Sequence, residues 1–163
     1  MRPPVFMFLD FDGVLHPISA RPEARWTAVG LLAALIEEVS EIAVVVSSTY
    51  RAFMPFDQIL QLFPLAMRGR IVGGTPVIAV GSGDTSLPKR HREILVWLEG
   101  NGYADSRWLA VDDDAEYFAD DCRELFLVDG AEGLTSTSVE QLRQRLRGYP
   151  LARHSTDSEA APT

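Results

Sequence analysis

This chain of 163 residues carries one cysteine, Cys122. An internal disulfide is therefore excluded, and a reducing, cytoplasmic setting is the expectation. A lone thiol reads here as a packed or surface residue, not a nucleophile. No apolar stretch approaches the roughly 20 residues that cross a bilayer. The first apolar run is short and interrupted by Asp10, which argues against a signal peptide. Basic residues are few beside acidic ones, 15 against 23, for a net charge of −8. That balance argues against a general nucleic-acid binder, though it leaves room for a local basic patch. We find no internal repeat. What remains is a chain 47% hydrophobic, an ordinary fraction for a globular protein and long enough for one domain with a real core.

The most informative stretch is Val5–His16, V-F-M-F-L-D-F-D-G-V-L-H. Val5–Leu9 is a continuous apolar run, too short for a good helix, and reads as a strand buried on both faces of a parallel sheet. Asp10 and Asp12 stand at its carboxyl end, where open α/β sheets hold their chemistry. They share a parity, so in extended chain both point to one side while Phe11 turns into the core. Gly13 lets the chain turn away. Two carboxylates this close repel, and the pair points to Mg²⁺, a hard cation that takes carboxylate oxygens. An EF-hand loop is excluded, because its sixth and twelfth positions counted from Asp10 hold Leu15 and Arg21 instead of Gly and Glu.

The remaining chain alternates helix and strand patterns. Trp26–Ser40 has apolar residues at helical spacing. Ile42–Val46 is a second buried strand, ending in Ser47-Ser48-Thr49-Tyr50-Arg51. Met54–Phe63 reads as a short helix, Arg70–Thr75 as a weaker strand, and Val77–Val80 as its extension or a further short strand. Pro88 suits the first turn of a helix with Ile94, Leu95, Trp97 and Leu98 inward. Trp108–Val111 is a fourth strand, followed by Asp112-Asp113-Asp114. A short helix through Tyr117 and a fifth strand, Leu125–Val128, come next. Thr137 and Glu140 have capping-box spacing for a last helix. The pattern defines an α/β, Rossmann-like domain over 1–150, with a mostly parallel five-stranded sheet; 151–163 reads as a disordered tail. Three strands end in chemically useful residues: Asp10 and Asp12, Ser47 and Ser48, Asp112 and Asp113.

Those residues together resemble the haloacid dehalogenase superfamily of aspartate-nucleophile phosphohydrolases. The signature after the first strand is Asp10-Phe11-Asp12-Gly13-Val14-Leu15. A hydroxyl residue closing the next strand matches Ser47, a basic residue at a helix start matches Lys89 or Arg90, and an acidic pair after a later strand matches Asp112-Asp113. A narrower likeness is to the haloacid dehalogenase domain of Swiss Army Knife RNA repair proteins, carried by Ser47-Ser48-Thr49-Tyr50-Arg51, Gly74-Thr75-Pro76, Glu93-Ile94 with Trp97-Leu98, and Gly133-Leu134-Thr135. The resemblance implies a Mg²⁺-dependent phosphatase. In it Asp10 is the nucleophile, Asp12 the acid and then the base, and Ser47 a donor to the phosphoryl group. The basic residue, Lys89 by preference over Arg90, offsets charge and holds Asp10 in place. Mg²⁺ is expected on Asp10, Asp113 and the Asp12 carbonyl, with Asp112 a ligand or behind one. Ser48, Arg51 and Arg90 are candidate substrate contacts.

Other residues carry plainer readings. His16 reads as a loop residue and Trp26 as helix packing. No segment is large enough for a sizeable cap, so the site should be open. An open site suits a macromolecular phosphate, either a phosphoprotein or a phosphorylated nucleic-acid end, with Arg51, Arg90 and Arg92 as rim cations; it also suits a small phosphate that borrows closure from a partner chain. A phospho-accepting signalling domain is disfavoured, since the third strand ends in Gly73-Gly74 and not in Asp. A catalytically silent binding domain on the same fold is the other alternative, and turnover of a phosphomonoester separates it from an enzyme.

Overall fold

The computed structural model describes residues 3–81 and 85–148. β1 (Val5–Leu9) is the middle of the sheet, and all five of its side chains are buried. They divide by parity. Val5, Met7 and Leu9 enter one apolar cluster, while Phe6 and Phe8 enter a second on the opposite face. A strand buried on both faces has no polar side to alternate with, which is why its sequence is unbroken. β2 (Ile42–Val46), β3 (Ile71–Gly74), β4 (Trp108–Asp112) and β5 (Leu125–Leu127) complete an all-parallel sheet in the order β3-β2-β1-β4-β5.

Helices cover both faces. α1 (Val29–Glu38), α2 (Phe56–Gln61), α3 (Leu65–Arg68) and α5 (Ser136–Gly148) supply residues to the cluster that holds Val5, Met7 and Leu9. α4 (Lys89–Gly100) covers the other face through Ile94, Trp97 and Leu98. Trp97 packs edge-on against Phe6 and Phe8. The chain thus leaves β1 for opposite sides, through β2 and through β4, and the ends of those three strands form the crevice where such folds bind ligands. No inserted domain lies over that crevice among the described residues.

Several local expectations need correction. The first helix begins at Val29, not Trp26, because Trp26 has φ 66° and cannot continue a right-handed helix. The expected helix over Met54–Phe63 is the shorter Phe56–Gln61, opened by Pro55, and a further short helix, Leu65–Arg68, follows it, opened by Pro64. Val77–Val80 is not a strand, and Val77 and Val80 are exposed. Leu95 lies outside the apolar face of α4. The last helix is capped two residues earlier than its Thr137–Glu140 spacing promised. Ser138 N–H donates to the Thr135 hydroxyl at 3.2 Å, and Thr135 N–H donates to Ser138 Oγ at 2.8 Å. Glu140 instead pairs with Arg143 along the helix. The expected tail, 151–163, lies outside the described residues.

Candidate active site

The strand ends align the chemistry. Ser47 N–H donates to the Leu9 carbonyl at 3.0 Å, and Asp10 N–H donates to the Val111 carbonyl at 3.1 Å. Ser47 and Asp10 therefore come directly after paired strand residues, and Asp112 closes β4 beside them. All three are nearly inaccessible. Asp10, Asp112 and Asp113 bring one carboxylate oxygen each to within 4.8 Å of one another.

One cation is already there. Arg90 Nη1 lies 3.2 Å from Asp10 Oδ2 and 2.6 Å from Asp112 Oδ2, and the Tyr117 ring covers the guanidinium at 4.5 Å. It does not neutralise the cluster. Burial, more than any neighbour, pushes the Asp10 carboxyl up, against the opposing pull of Arg90. Burial and then the charge of Asp10 push Asp112 up to about 6. Asp113 is raised by the same two causes in the same order. Three carboxyls that resist ionisation together form a site short of positive charge.

The cluster has room because two glycines line it. A Cβ on Gly13 would lie 2.2 Å from Asp113 Oδ2, and one on Gly130 would lie 2.4 Å from the same atom. Gly13 also has φ +75°, a conformation that side chains disfavour. The Gly130 carbonyl accepts from Ile18 N–H at 2.8 Å, which ties the loop after β5 to the loop after β1. An all-oxygen donor set in a cradle that only hydrogen side chains allow fits a small hard cation such as Mg²⁺.

Asp12 stands apart from this cluster, its side chain half exposed. Its Oδ1 receives the His16 Nε2 hydrogen at 2.8 Å and the Tyr50 hydroxyl at 3.4 Å. Behind it, His16 is buried, and its Nδ1 accepts from Trp26 N–H at 3.3 Å. Phe11 is fully buried, as its parity requires, and packs against Trp26, Tyr50 and Phe63. The roles of His16 and Trp26 were not legible as site features. The one signal was the spacing of His16, four residues after Asp12 in a segment that turns on itself at Phe11–Leu15.

The remaining candidates fall differently from expectation. Arg51 is turned inward, not to the rim. Its guanidinium donates to the carbonyls of Ser47, Ser48, Thr75 and Pro76 and to Glu93 Oε2 at 2.5 Å, leaving no free hydrogen-bonding edge for a substrate. Ser48 Oγ is occupied locally, capping the turn Thr49–Ala52 by accepting from Tyr50 N–H. Lys89 reaches neither Asp10 nor Asp112. It is 44% exposed and sits 3.9 Å from Glu93. Beside the cluster is a cavity of about 120 Å³ bordered by Thr49, Ala52, Val77, Lys89, Arg90 and Tyr117. Of the three expected rim arginines, Arg51 and Arg90 are thus buried ion-pair partners and Arg92 is half-buried.

A doubly wound parallel sheet with a carboxylate and a D-x-D turn closing β1, a hydroxyl residue closing β2, a basic residue from the helix before β4 and an acidic pair closing β4 defines a haloacid dehalogenase-type domain. Over residues 6–139 the chain matches the family described as the HAD domain in Swiss Army Knife RNA repair proteins, and it belongs to that family. No curated protein matches the chain. Among the described residues no helix is long and apolar enough to cross a membrane.

Proposed function

We propose that the chain is a Mg²⁺-dependent phosphomonoesterase that works through an aspartyl-phosphate on Asp10. The supporting observation is the Asp10 carboxylate at the end of β1, held by Arg90 and facing Asp113, with Asp12 set to one side. In the first step an Asp10 oxygen attacks phosphorus and the bond from phosphorus to the ester oxygen breaks. Asp12 gives its proton to the departing alkoxide, which leaves as an alcohol. In the second step water attacks phosphorus and loses a proton to Asp12. The acyl phosphate bond breaks, releasing inorganic phosphate and restoring Asp10. Arg90 holds Asp10 in line and opposes charge on the phosphoryl oxygens, and Ser47 donates to one of them. Asp10 and Asp113 would hold Mg²⁺, which supplies charge neutralisation for nucleophile and phosphoryl group. Asp112, with Oδ2 on Arg90 and Oδ1 accepting from Asp114 N–H, acts by anchoring Arg90 and supporting the metal.

The substrate reading is a phosphorylated nucleic-acid end. It is supported by the RNA-repair description of the family and by a crevice without a lid. With Arg51 and Arg90 committed internally, the site offers little cationic rim, so affinity must come largely from the phosphate itself. The test is phosphate release from phosphorylated oligonucleotides, phosphopeptides and small esters, with and without chelator. Turnover should require Mg²⁺ and be lost in Asp10→Asn with the fold intact. Full activity in Asp10→Asn, or after exhaustive chelation, would refute the mechanism. A phosphopeptide or small ester turned over more efficiently than every oligonucleotide would refute the substrate reading alone.

A further inference from the structure

The Asp12–His16–Trp26 chain is an unusually constrained piece of a surface turn. His16 is 2% exposed, yet its polar partners are the half-exposed Asp12 carboxylate and a backbone amide. That amide belongs to Trp26, the one non-glycine among the described residues with positive φ. A left-handed conformation is disfavoured for a bulky residue. It is retained here where the Trp26 N–H meets His16 Nδ1 and the indole packs edge-on against the imidazole, 4.8 Å between centroids. Local strain kept at one point of a turn marks a geometry that the surroundings over-determine.

This arrangement decides a tautomer. Nδ1 accepts from Trp26, so the ring hydrogen sits on Nε2 and is donated to Asp12 Oδ1. Tyr50 donates to the same oxygen. Both donors converge on Oδ1 and neither uses Oδ2. Asp12 is therefore held with one oxygen clamped and the other presented.

We propose that His16 is a positioning residue acting through Asp12: by clamping Oδ1 it makes Oδ2 the oxygen that passes the proton to the departing alkoxide and later receives one from water. This inference rests on the phosphatase reading. It adds which oxygen of Asp12 works and what holds it. The protons balance over the cycle: one leaves Asp12 Oδ2 for the alkoxide, and one returns to it from the attacking water.

The consequence is selective. Proton donation matters for a poor leaving group, such as a ribose or alkyl alkoxide, and little for a dinitrophenolate that departs unprotonated. With Mg²⁺ present, His16→Ala should lower kcat on a nucleoside monophosphate or alkyl phosphate by about 10- to 100-fold and leave KM nearly unchanged. On 2,4-dinitrophenyl phosphate its kcat/KM, which stops at formation of the aspartyl-phosphate, should fall by no more than about threefold, against about 10- to 100-fold for kcat/KM on the alkyl ester. His16→Gln, whose amide N–H can stand near Nε2–H, should restore most of the loss, and His16→Asn should not. Thermal melting of each variant tests folding, and if His16→Ala does not fold, the Gln–Asn pair carries the comparison. The ¹⁵N spectrum of the His16 ring should show a protonated Nε2 and a bare Nδ1. Equal losses of kcat/KM on both leaving groups, a change confined to KM, Gln no better than Asn, or a proton on Nδ1 would each overturn the proposal. Absence of wild-type turnover on 2,4-dinitrophenyl phosphate would instead count against the phosphatase reading, so the two failures are distinct.

Discussion

The Arg90 guanidinium has 8% of its side chain exposed and touches two buried carboxylates with one nitrogen, Nη1. Burial disfavours its charge, but attraction to Asp10 and then Asp112 outweighs that and holds the group more firmly protonated than an ordinary arginine. Arg90→Met keeps most of the side-chain volume and removes the charge. Two carboxylates are then left uncompensated, and breaking such a buried arrangement costs about 3–5 kcal/mol. Lys89→Met, its neighbour in sequence, removes a half-exposed ammonium 3.9 Å from Glu93, worth at most about 1 kcal/mol. Urea unfolding of the metal-free protein should separate the two variants by at least about 2 kcal/mol on these figures. Added Mg²⁺ should narrow the gap, because a cation on Asp10 replaces part of the lost charge.

Turnover supplies the second readout. Loss of a charge aimed at a developing oxyanion typically costs about 10²- to 10³-fold in kcat, and Arg90→Met should fall in that range. Lys89→Met should keep kcat and raise KM modestly, since Lys89 borders only the adjacent cavity. Arg90→Lys should recover part of the activity, because one nitrogen serves both carboxylates. Were Lys89→Met the more damaging of the two, in either stability or kcat, the assignment of Arg90 as the cation of the site would be wrong.

The carboxylate cluster sets two further outcomes. Gly130→Ala puts a methyl carbon 2.4 Å from Asp113 Oδ2, at a backbone conformation alanine can adopt, so the carboxylate must swing away. Mg²⁺ affinity by calorimetry should drop by about tenfold or more, equivalent to about 1.4 kcal/mol. The same substitution in an Asp113→Gly background should change little, and an unchanged Mg²⁺ affinity in Gly130→Ala alone would remove the cradle argument. Separately, the raised carboxyls, with Asp112 up to about 6, hold protons that Mg²⁺ must displace. Apparent Mg²⁺ affinity should therefore fall as pH drops through about 6, by up to about tenfold per pH unit for each proton displaced, and level off above that range. Affinity independent of pH between 5 and 8, with no proton release in buffers of different ionisation enthalpy, would contradict it.

The parallel sheet was legible because its central strands are buried on both faces. Val5–Leu9 and Ile42–Val46 appear with the bounds their apolar runs mark. The site carboxylates were legible for a related reason: parallel strands all run the same way, so the residues just past their carboxyl ends gather at one edge of the sheet. Arg90, and not the preferred Lys89, meets the carboxylates, and helical phase is the reason. Each residue turns about 100° around a helix, so adjacent side chains face differently. Arg90 precedes Ile94 by four residues and Trp97 by seven, and both pack on the sheet. Lys89 shares its side with Glu93 instead. That periodicity was present in the sequence.

Arg51 shows what no periodicity carries. Desolvation of its guanidinium exceeds the attraction of Glu93, so its proton is held less firmly than an ordinary arginine's. A buried pair of that balance is weak evidence for net stability. Its geometry has another use. Arg51 joins the carbonyls of Ser47 and Ser48 after β2 to those of Thr75 and Pro76 after β3, while Glu93 reaches from α4 to accept from Arg51 and from Ile78 N–H at 3.1 Å. These loop carbonyls and amides have no strand partners, and a planar fork with five donors can satisfy several of them from a single point. The turn that carries Ser47 is thereby pinned to the helix that carries Arg90, so Ser47 and Arg90 keep a fixed spacing although they lie on separate elements. An arginine next to a hydroxyl-rich strand end reads in sequence as a substrate contact. Only the three-dimensional closure of Ser47, Thr75 and Glu93 around it turns that reading inward.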